Sequence, residues 1–229
     1  MTPPAAKASA KTKAPVEPVD DELTDDGADD APVRRGRGRP RRGIDREHVA
    51  DVVEALFDEG GYEAVSIEET AKRLTVSRAT LYRTVPSKEH LLAILFERMT
   101  TELYDAAVAI VDDPALTPRE RVEQLVRAQI DAAFRQRNYL LVFFGGGNLP
   151  AEDFEKWQTW RRKYEGLWLK VVTEAIEAGD LPDDDPRLIT RLITGMTTWV
   201  ARWVRPNGPH DSAHIADVAL RLVLSEVKG

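Results

Sequence analysis

The sequence predicts an all-α protein of about nine helices. Three observations carry that expectation. From residue 44 onward apolar side chains recur at helical spacing, the helical stretches open on capping residues and close on Gly or Pro, and no stretch combines β-branched enrichment with strict alternation. The 229 residues allow one or two domains with a sizeable core.

Val49, Val52, Val53, Leu56 and Phe57 form the first stripe, with Asp45 as N-cap, Ile44 as a staple against Val49, and Gly60-Gly61 as the stop. Ser66-Ile67-Glu68-Glu69 reads as a capping box opening a short helix to Leu74. Ser77 caps a second short helix running to Arg83, and Pro86-Ser87-Lys88 opens a longer one with Leu91, Leu92, Leu95, Phe96 and Met99 apolar. Thr117-Pro118-Arg119-Glu120 combines a capping box with proline at the first helical position and predicts a helix to Arg137. Residues 139–144 are apolar throughout and read as a short buried helix or a strand, closed by Gly145-Gly146-Gly147. A long helix over residues 151–178 stops at Gly179 and Pro182, the next starts at Asp185-Pro186 and ends at Pro206, and the last covers residues 212–227.

Composition excludes several function classes. Cysteine is absent, which removes disulfide scaffolds, thiolate metal sites and cysteine nucleophiles. No apolar run exceeds six residues, as at 106–111 and 139–144, against the roughly 18 of a membrane span. The N-terminus lacks the apolar core of a signal peptide, so the expectation is a cytoplasmic protein without a membrane partner. The 32 basic and 39 acidic side chains give a net charge of −7, which taken globally speaks against nucleic acid.

Regional charge alters that. Residues 1–43 hold six of the 14 prolines, no aromatic residue, and a net charge of +1, and read as a disordered tail. Residues 17–30 carry eight acids and no base, whereas Arg34, Arg35, Arg37, Arg39, Arg41 and Arg42 follow without an acid. Composition and the helix signals divide the chain into this tail and two helical segments, 44–98 and 99–229.

Residues 66–88 carry the strongest functional signal. Two short helices separated by Leu74-Thr75-Val76 match a helix-turn-helix, whose second helix enters the DNA major groove. Its outer face presents Arg78, Ala79, Thr80, Tyr82 and Arg83, while Leu81 and Val85 point inward. An Arg78 fork matches guanine O6 and N7, Ala79 and Thr80 suit a thymine methyl, and Tyr82 reaches a phosphate. Ser66 and Lys88 stand at helix N-termini, which attract phosphates. By spacing alone an ordinary amphipathic helix pair fits equally well.

The run from Val65 through Val-Ser-Arg-Ala-Thr-Leu-Tyr (76–82) to Pro86-Ser87-Lys88-Glu89, with Gly61-Tyr62 before it, resembles the DNA-binding domain of TetR-family transcriptional repressors over residues 44–96. The resemblance implies a DNA-binding segment at 44–98, a ligand-binding and dimerisation segment at 99–229, and a dimer on operator DNA, with Arg78, Ala79, Thr80 and Tyr82 in or beside the major groove and Ser66 and Lys88 on phosphates. Two residues depart from the family pattern. Thr75 replaces a turn glycine, so the turn either strains or avoids a left-handed backbone, and Thr84 replaces a phosphate-contacting histidine. Arg37-Gly38-Arg39-Pro40 has the Gly-Arg-Pro core of an AT-hook; Arg37 and Arg39 either enter an A·T-rich minor groove or touch phosphates only.

All five tryptophans lie beyond residue 150. Trp157, Trp160, Tyr164 and Trp168 share one helix face, and Trp199 and Trp203 another. Such stripes are either core and dimer packing or, with Phe143, Phe144 and Met196, the lining of an apolar cavity; the family resemblance implies an effector pocket in this half. Residues 195–208, with Trp199, Trp203, Arg205-Pro206 and Gly208, resemble TetR-family regulators of fatty-acid and sterol catabolism, some of which respond to acyl-CoA thioesters. Arg161, Arg162, Arg202 and Arg205 then face an acyl-CoA phosphate or a ligand carboxylate, or simply solvent. The resemblance also implies a homodimer through the last two long helices, with Ile215, Val218, Ala219, Leu222 and Val223 as the seam.

The expected function is a ligand-responsive, sequence-specific transcriptional repressor that binds a near-palindromic operator as a dimer and is released by a small apolar or amphipathic effector. The alternatives are a nucleoid-type structural protein using the arginine arm, or a helical enzyme. No catalytic constellation, cofactor motif or metal site is expected; of His48, His90, His210 and His214, only the last two have a metal-compatible spacing, without a third ligand.

Overall fold

The computed structural model describes residues 44–139, 149–205 and 207–224. The described residues form eight helices, α1 (Arg46–Ala64), α2 (Ile67–Arg73), α3 (Arg78–Tyr82), α4 (Lys88–Asp112), α5 (Pro118–Arg135), α6 (Ala151–Glu177), α7 (Pro186–Trp203) and α8 (Ser212–Val223). A short helical stretch at residues 137–139 follows α5, and no strand occurs among the described residues. The fold is all-α, with a helix-turn-helix at its N-terminal end and a helical C-terminal part.

Local chemistry accounts for the helix starts. Asp45 accepts from the Glu47 N–H, Ser66 from Glu69, Ser77 from Thr80, Asp185 from Arg187 and Asp211 from His214. Thr117 and Glu120 form a reciprocal capping box ahead of α5. Two starts lack a side-chain cap bond: Pro150 precedes α6, and the Ser87 hydroxyl ahead of α4 pairs instead with His90 Nδ1 at 2.8 Å. Gly60 and Gly61 break α1, Gly61 at φ 66, and one further helical turn precedes Val65.

Two apolar clusters organise the chain. The first packs Val49, Val53, Leu56 and Phe57 of α1 against α2, Leu81, Val85, and Leu91, Leu92 and Leu95 of α4. The second gathers Leu125 and Ile130 of α5, Trp168 and Val172 of α6, Ile193 and Val200 of α7, and Ile215 and Leu220 of α8. Helix α4 joins them, with Leu91 through Met99 in the first and Ala107 and Val111 in the second. Helix α5 is the hub of the second, packed by α4, α6, α7 and α8. Arg98 clamps α4 to α1 through Asp51 at 2.6 Å and through Glu54.

The proposed seam on α8 is divided. Ile215 and Ala219 are buried against the body, whereas Val218 and Leu222 are exposed. Helix α8 rests on α5, so its inward positions are spent on that contact and only the opposite edge faces out. The apolar stretch at 139–144 contributes Tyr139 to the described residues; the rest of it, the glycine triplet, the N-terminal tail and residues 225–227 lie outside them. Among the described residues, no helix is long and apolar enough to cross a membrane.

Candidate nucleic-acid interface and effector cavity

Helix α3, the second of the helix-turn-helix, is only five residues long and is held by its anchors. Leu81 and Val85 are fully enclosed in the first core, which fixes the rotation of α3 and turns Arg78, Ala79, Tyr82 and Arg83 outward. Tyr82 is 52% exposed although large and aromatic. Thr80 is half-buried, its hydroxyl paired with Ser77 Oγ at 2.7 Å. The Arg78 guanidinium pairs with Glu68 of α2. Lys88 lies with Nζ 3.7 Å from the centre of the Tyr62 ring, a cation–π contact that holds an ammonium beside the start of α4. Ser66 caps α2, with the Glu69 N–H donating to its Oγ at 3.1 Å. Thr75 adopts φ 56, the left-handed backbone that glycine favours, so the turn is strained. Arg73 braces this unit by gripping Glu59 through both guanidinium nitrogens at 2.5 and 2.8 Å; that hydrogen bonding holds the Glu59 carboxyl below its ordinary range. Arg37 and Arg39 lie outside the described residues.

A cavity of about 640 Å³ lies among α4, α5, α6 and α7, within the roughly 300–1,000 Å³ of small-molecule sites. Its apolar walls are Phe96, Met99 and Leu103 of α4, Ala132 and Ala133 of α5, Trp157 and Trp160 of α6, and Trp199 of α7. Trp160 is locked, its Nε1 donating to the Thr100 carbonyl at 2.8 Å while its ring stacks on Tyr164 at 5.1 Å. A polar chain crosses three helices: the Tyr164 hydroxyl donates to Gln129 Oε1, and Gln129 Nε2 donates to Thr198 Oγ1 at 3.1 Å. Burial pushes the Tyr164 phenol well above its ordinary pKa, so it remains a neutral donor. Arg161, Glu165 and Arg191 are exposed and form a charged rim, with Arg161 over the Trp157 ring at 5.1 Å.

The aromatic stripes separate in three dimensions. Trp157, Trp160, Tyr164 and Trp199 line the cavity, while Trp168 is fully enclosed in the second core. Met196 is half-buried against that core, and Trp203 is 52% exposed; neither lines the cavity. Phe143 and Phe144 lie outside the described residues. Arg162, Arg202 and Arg205 are exposed and off the lining, which leaves Arg161 as the rim residue of that quartet. Sequence reasoning missed Gln129, Gln136, Thr194 and Thr198, and it treated Phe96 and Met99 as core only. One signal was available for Gln129: it is an amide on the otherwise apolar face of α5.

Residues 50–95 match the family described as bacterial regulatory proteins, tetR family, and residues 115–227 match the tetracyclin repressor-like C-terminal domain. The chain is 37% identical over 196 residues to the HTH-type transcriptional repressor KstR of Mycobacterium tuberculosis, covering 79% of this chain and 81% of that protein. It is 32% identical over 216 residues to the HTH-type transcriptional regulator EthR of the same organism, covering 90% and 99%. A TetR/AcrR-family regulator from Thermobifida fusca superposes with a TM-score of 0.71 at 26% identity, covering 80% of this chain and 98% of that one. AibR, solved in complex with isovaleryl coenzyme A and operator DNA, shares the fold with a TM-score of 0.65 at 22% identity, covering 78% and 97%.

Proposed function

The chain belongs to the TetR family, and from that premise we propose how it acts as a ligand-responsive, DNA-binding transcriptional repressor: α3 reads an operator, and an effector in the α4–α7 cavity releases it. The observation that carries the reading is an outward-facing α3 and a partly open amphipathic cavity joined by one continuous helix, α4. Arg78, Ala79, Thr80, Tyr82 and Arg83 take the groove-facing roles, and Ser66 and Lys88 the phosphate contacts. Residues 44–98 then form the reading head and 99–229 the effector and dimerisation body.

The effector is an amphipathic small molecule. Apolar walls receive its hydrocarbon part, the Gln129–Tyr164–Thr198 chain receives a single buried polar group, and Arg161 and Arg191 meet an anionic end. An acyl-CoA satisfies these demands, as does a fatty or sterol acid. The dimer forms through α7 and α8, where Leu188, Leu192, Trp203 and Leu222 remain exposed, and it sets two α3 helices roughly 34–36 Å apart. We read the chain as a cytoplasmic, non-catalytic protein.

Release follows from linkage: an effector that favours a dimer with misplaced reading helices lowers operator affinity by its preference for that state. Footprinting of genomic fragments recovered with the full-length protein tests the reading. One near-palindromic protected site, lost on adding members of a fatty-acid and acyl-CoA panel, is the expected result. Broad protection of A·T-rich DNA supports the nucleoid-type alternative instead.

A further inference from the structure

We propose that Tyr139 is a positioning residue that ties the reading head to the effector cavity; the inference rests on the regulatory reading above. Tyr139 follows α5, a body helix, yet it is 2% exposed inside the head's apolar cluster. Its ring packs on Phe57 of α1 at 4.6 Å between centroids, and its hydroxyl donates to Asp58 Oδ1 at 2.7 Å. Three residues earlier, Gln136 lines the cavity, and the Tyr139 N–H donates to the Gln136 carbonyl at 3.0 Å. One hydrogen-bonded turn therefore separates a cavity wall from a plug in the head.

The plug acts on the helix that matters. Helix α1 is gripped on one side by Arg98 of α4, through Asp51 and Glu54, and Tyr139 reaches it from the body through Phe57 and Asp58. The two grips have different origins, one on the shared helix and one on the cavity wall. An effector that displaces Gln136 moves Tyr139 with it, and because the head core is close-packed, α1 follows as a rigid body. Trp157 supports the same route, since it both lines the cavity and packs on the head cluster. The hydroxyl–carboxylate bond gives this joint its direction, because apolar packing on Phe57 alone permits sliding.

The absence of cysteine allows a direct test. Spin labels at Ala55→Cys in the head and Ala178→Cys in the body, both exposed positions, report the head–body distance by pulsed electron resonance. Labelled full-length chains are diluted into unlabelled protein so that only intrachain distances are read. Gly195 is an exposed residue of the cavity lining, and a Cβ there meets nothing within 4 Å, so Gly195→Trp sets a bulky ring at the cavity mouth without an identified ligand.

In the parent, Gly195→Trp shifts the distance. Tyr139→Phe, which keeps the ring and removes only the hydroxyl, broadens the distribution of the protein that retains Gly195, abolishes the shift, and weakens operator binding about three- to tenfold. Asp58→Asn weakens the same bond from the exposed side and moves each readout in the same direction, which covers a Tyr139 variant that fails to fold. A purely structural Tyr139 lowers the melting temperature and leaves the shift intact. The proposal is overturned if Gly195→Trp moves the Tyr139→Phe and parent distances equally, or leaves the parent unchanged. If the distances behave as stated and footprinting finds no protected site, the joint stands and the regulatory reading falls.

Discussion

Thr75 sits at φ 56, a backbone region that costs a β-branched residue roughly 1–2 kcal/mol. The residue type posed the choice between straining that turn and avoiding it, and the fold took the strain, because Leu74 and Val76 must both pack on the head cluster. Thr75→Gly is expected to stabilise the protein by about 1 kcal/mol, since relief of strain outweighs the added freedom of the unfolded chain. A thermal melt shows this as a rise of about 2–4 °C. Arg78 poses a second residue-scale balance. Its exposed pair with Glu68 is worth about 0–1 kcal/mol, and a guanine fork about 1–3 kcal/mol, so DNA wins the guanidinium. Arg78→Ala is therefore expected to relax discrimination at one base pair by about 1–3 kcal/mol in competition binding. Lys88→Ala instead weakens all sequences alike and reduces the salt slope by about one ion.

At the scale of elements, α6 gives the clearest lesson. Its aromatic residues share a face by spacing, and the sequence left both core and cavity open as readings of that stripe. Both hold, in different segments. Trp157, Trp160 and Tyr164 pass the cavity, whereas Trp168, one turn on, is fully enclosed in the second core. Periodicity records which way a side chain points, and the neighbouring helices decide whether it meets atoms or space. Trp168→Ala is expected to cost about 3–5 kcal/mol in urea unfolding. Trp199→Ala, half-exposed on the rim, leaves the urea midpoint nearly unchanged and alters effector response in operator-release assays. Helix starts were legible because each cap is a local contact: Thr117 with Glu120, Ser66 with Glu69, and Asp211 with His214 all lie within one turn. The polar chain Gln129–Tyr164–Thr198 was not legible, because its members are 35 and 69 residues apart.

The whole molecule carries an exposed apolar stripe on α7, with Leu188, Leu192 and Trp203, continued by Val218 and Leu222 of α8. Leu192→Glu places a charge in that seam; sedimentation is expected to show monomers, and operator affinity falls because half-sites are no longer read together. Stability should also depend on alkaline pH. Burial raises the pKa of Tyr164, and burial together with the Asp58 bond raises that of Tyr139. Both folded values exceed the unfolded value of about 10, so this contribution is complete below pH 10 and is lost as pH rises beyond it. Melting temperatures measured from pH 8 upward should fall above pH 10, and less steeply in Tyr164→Phe.

The sequence by itself determined the all-α class, the helix boundaries within a few residues, and the reading motif, because capping, periodicity and a short turn are properties of adjacent residues. Only the tertiary structure decided which aromatic residues face a cavity, that the α8 stripe is half core and half surface, and that Tyr139, which follows α5, packs into the first core on Phe57 of α1. Those facts depend on what stands opposite each side chain, and in a helical protein the opposite residue lies dozens of positions away.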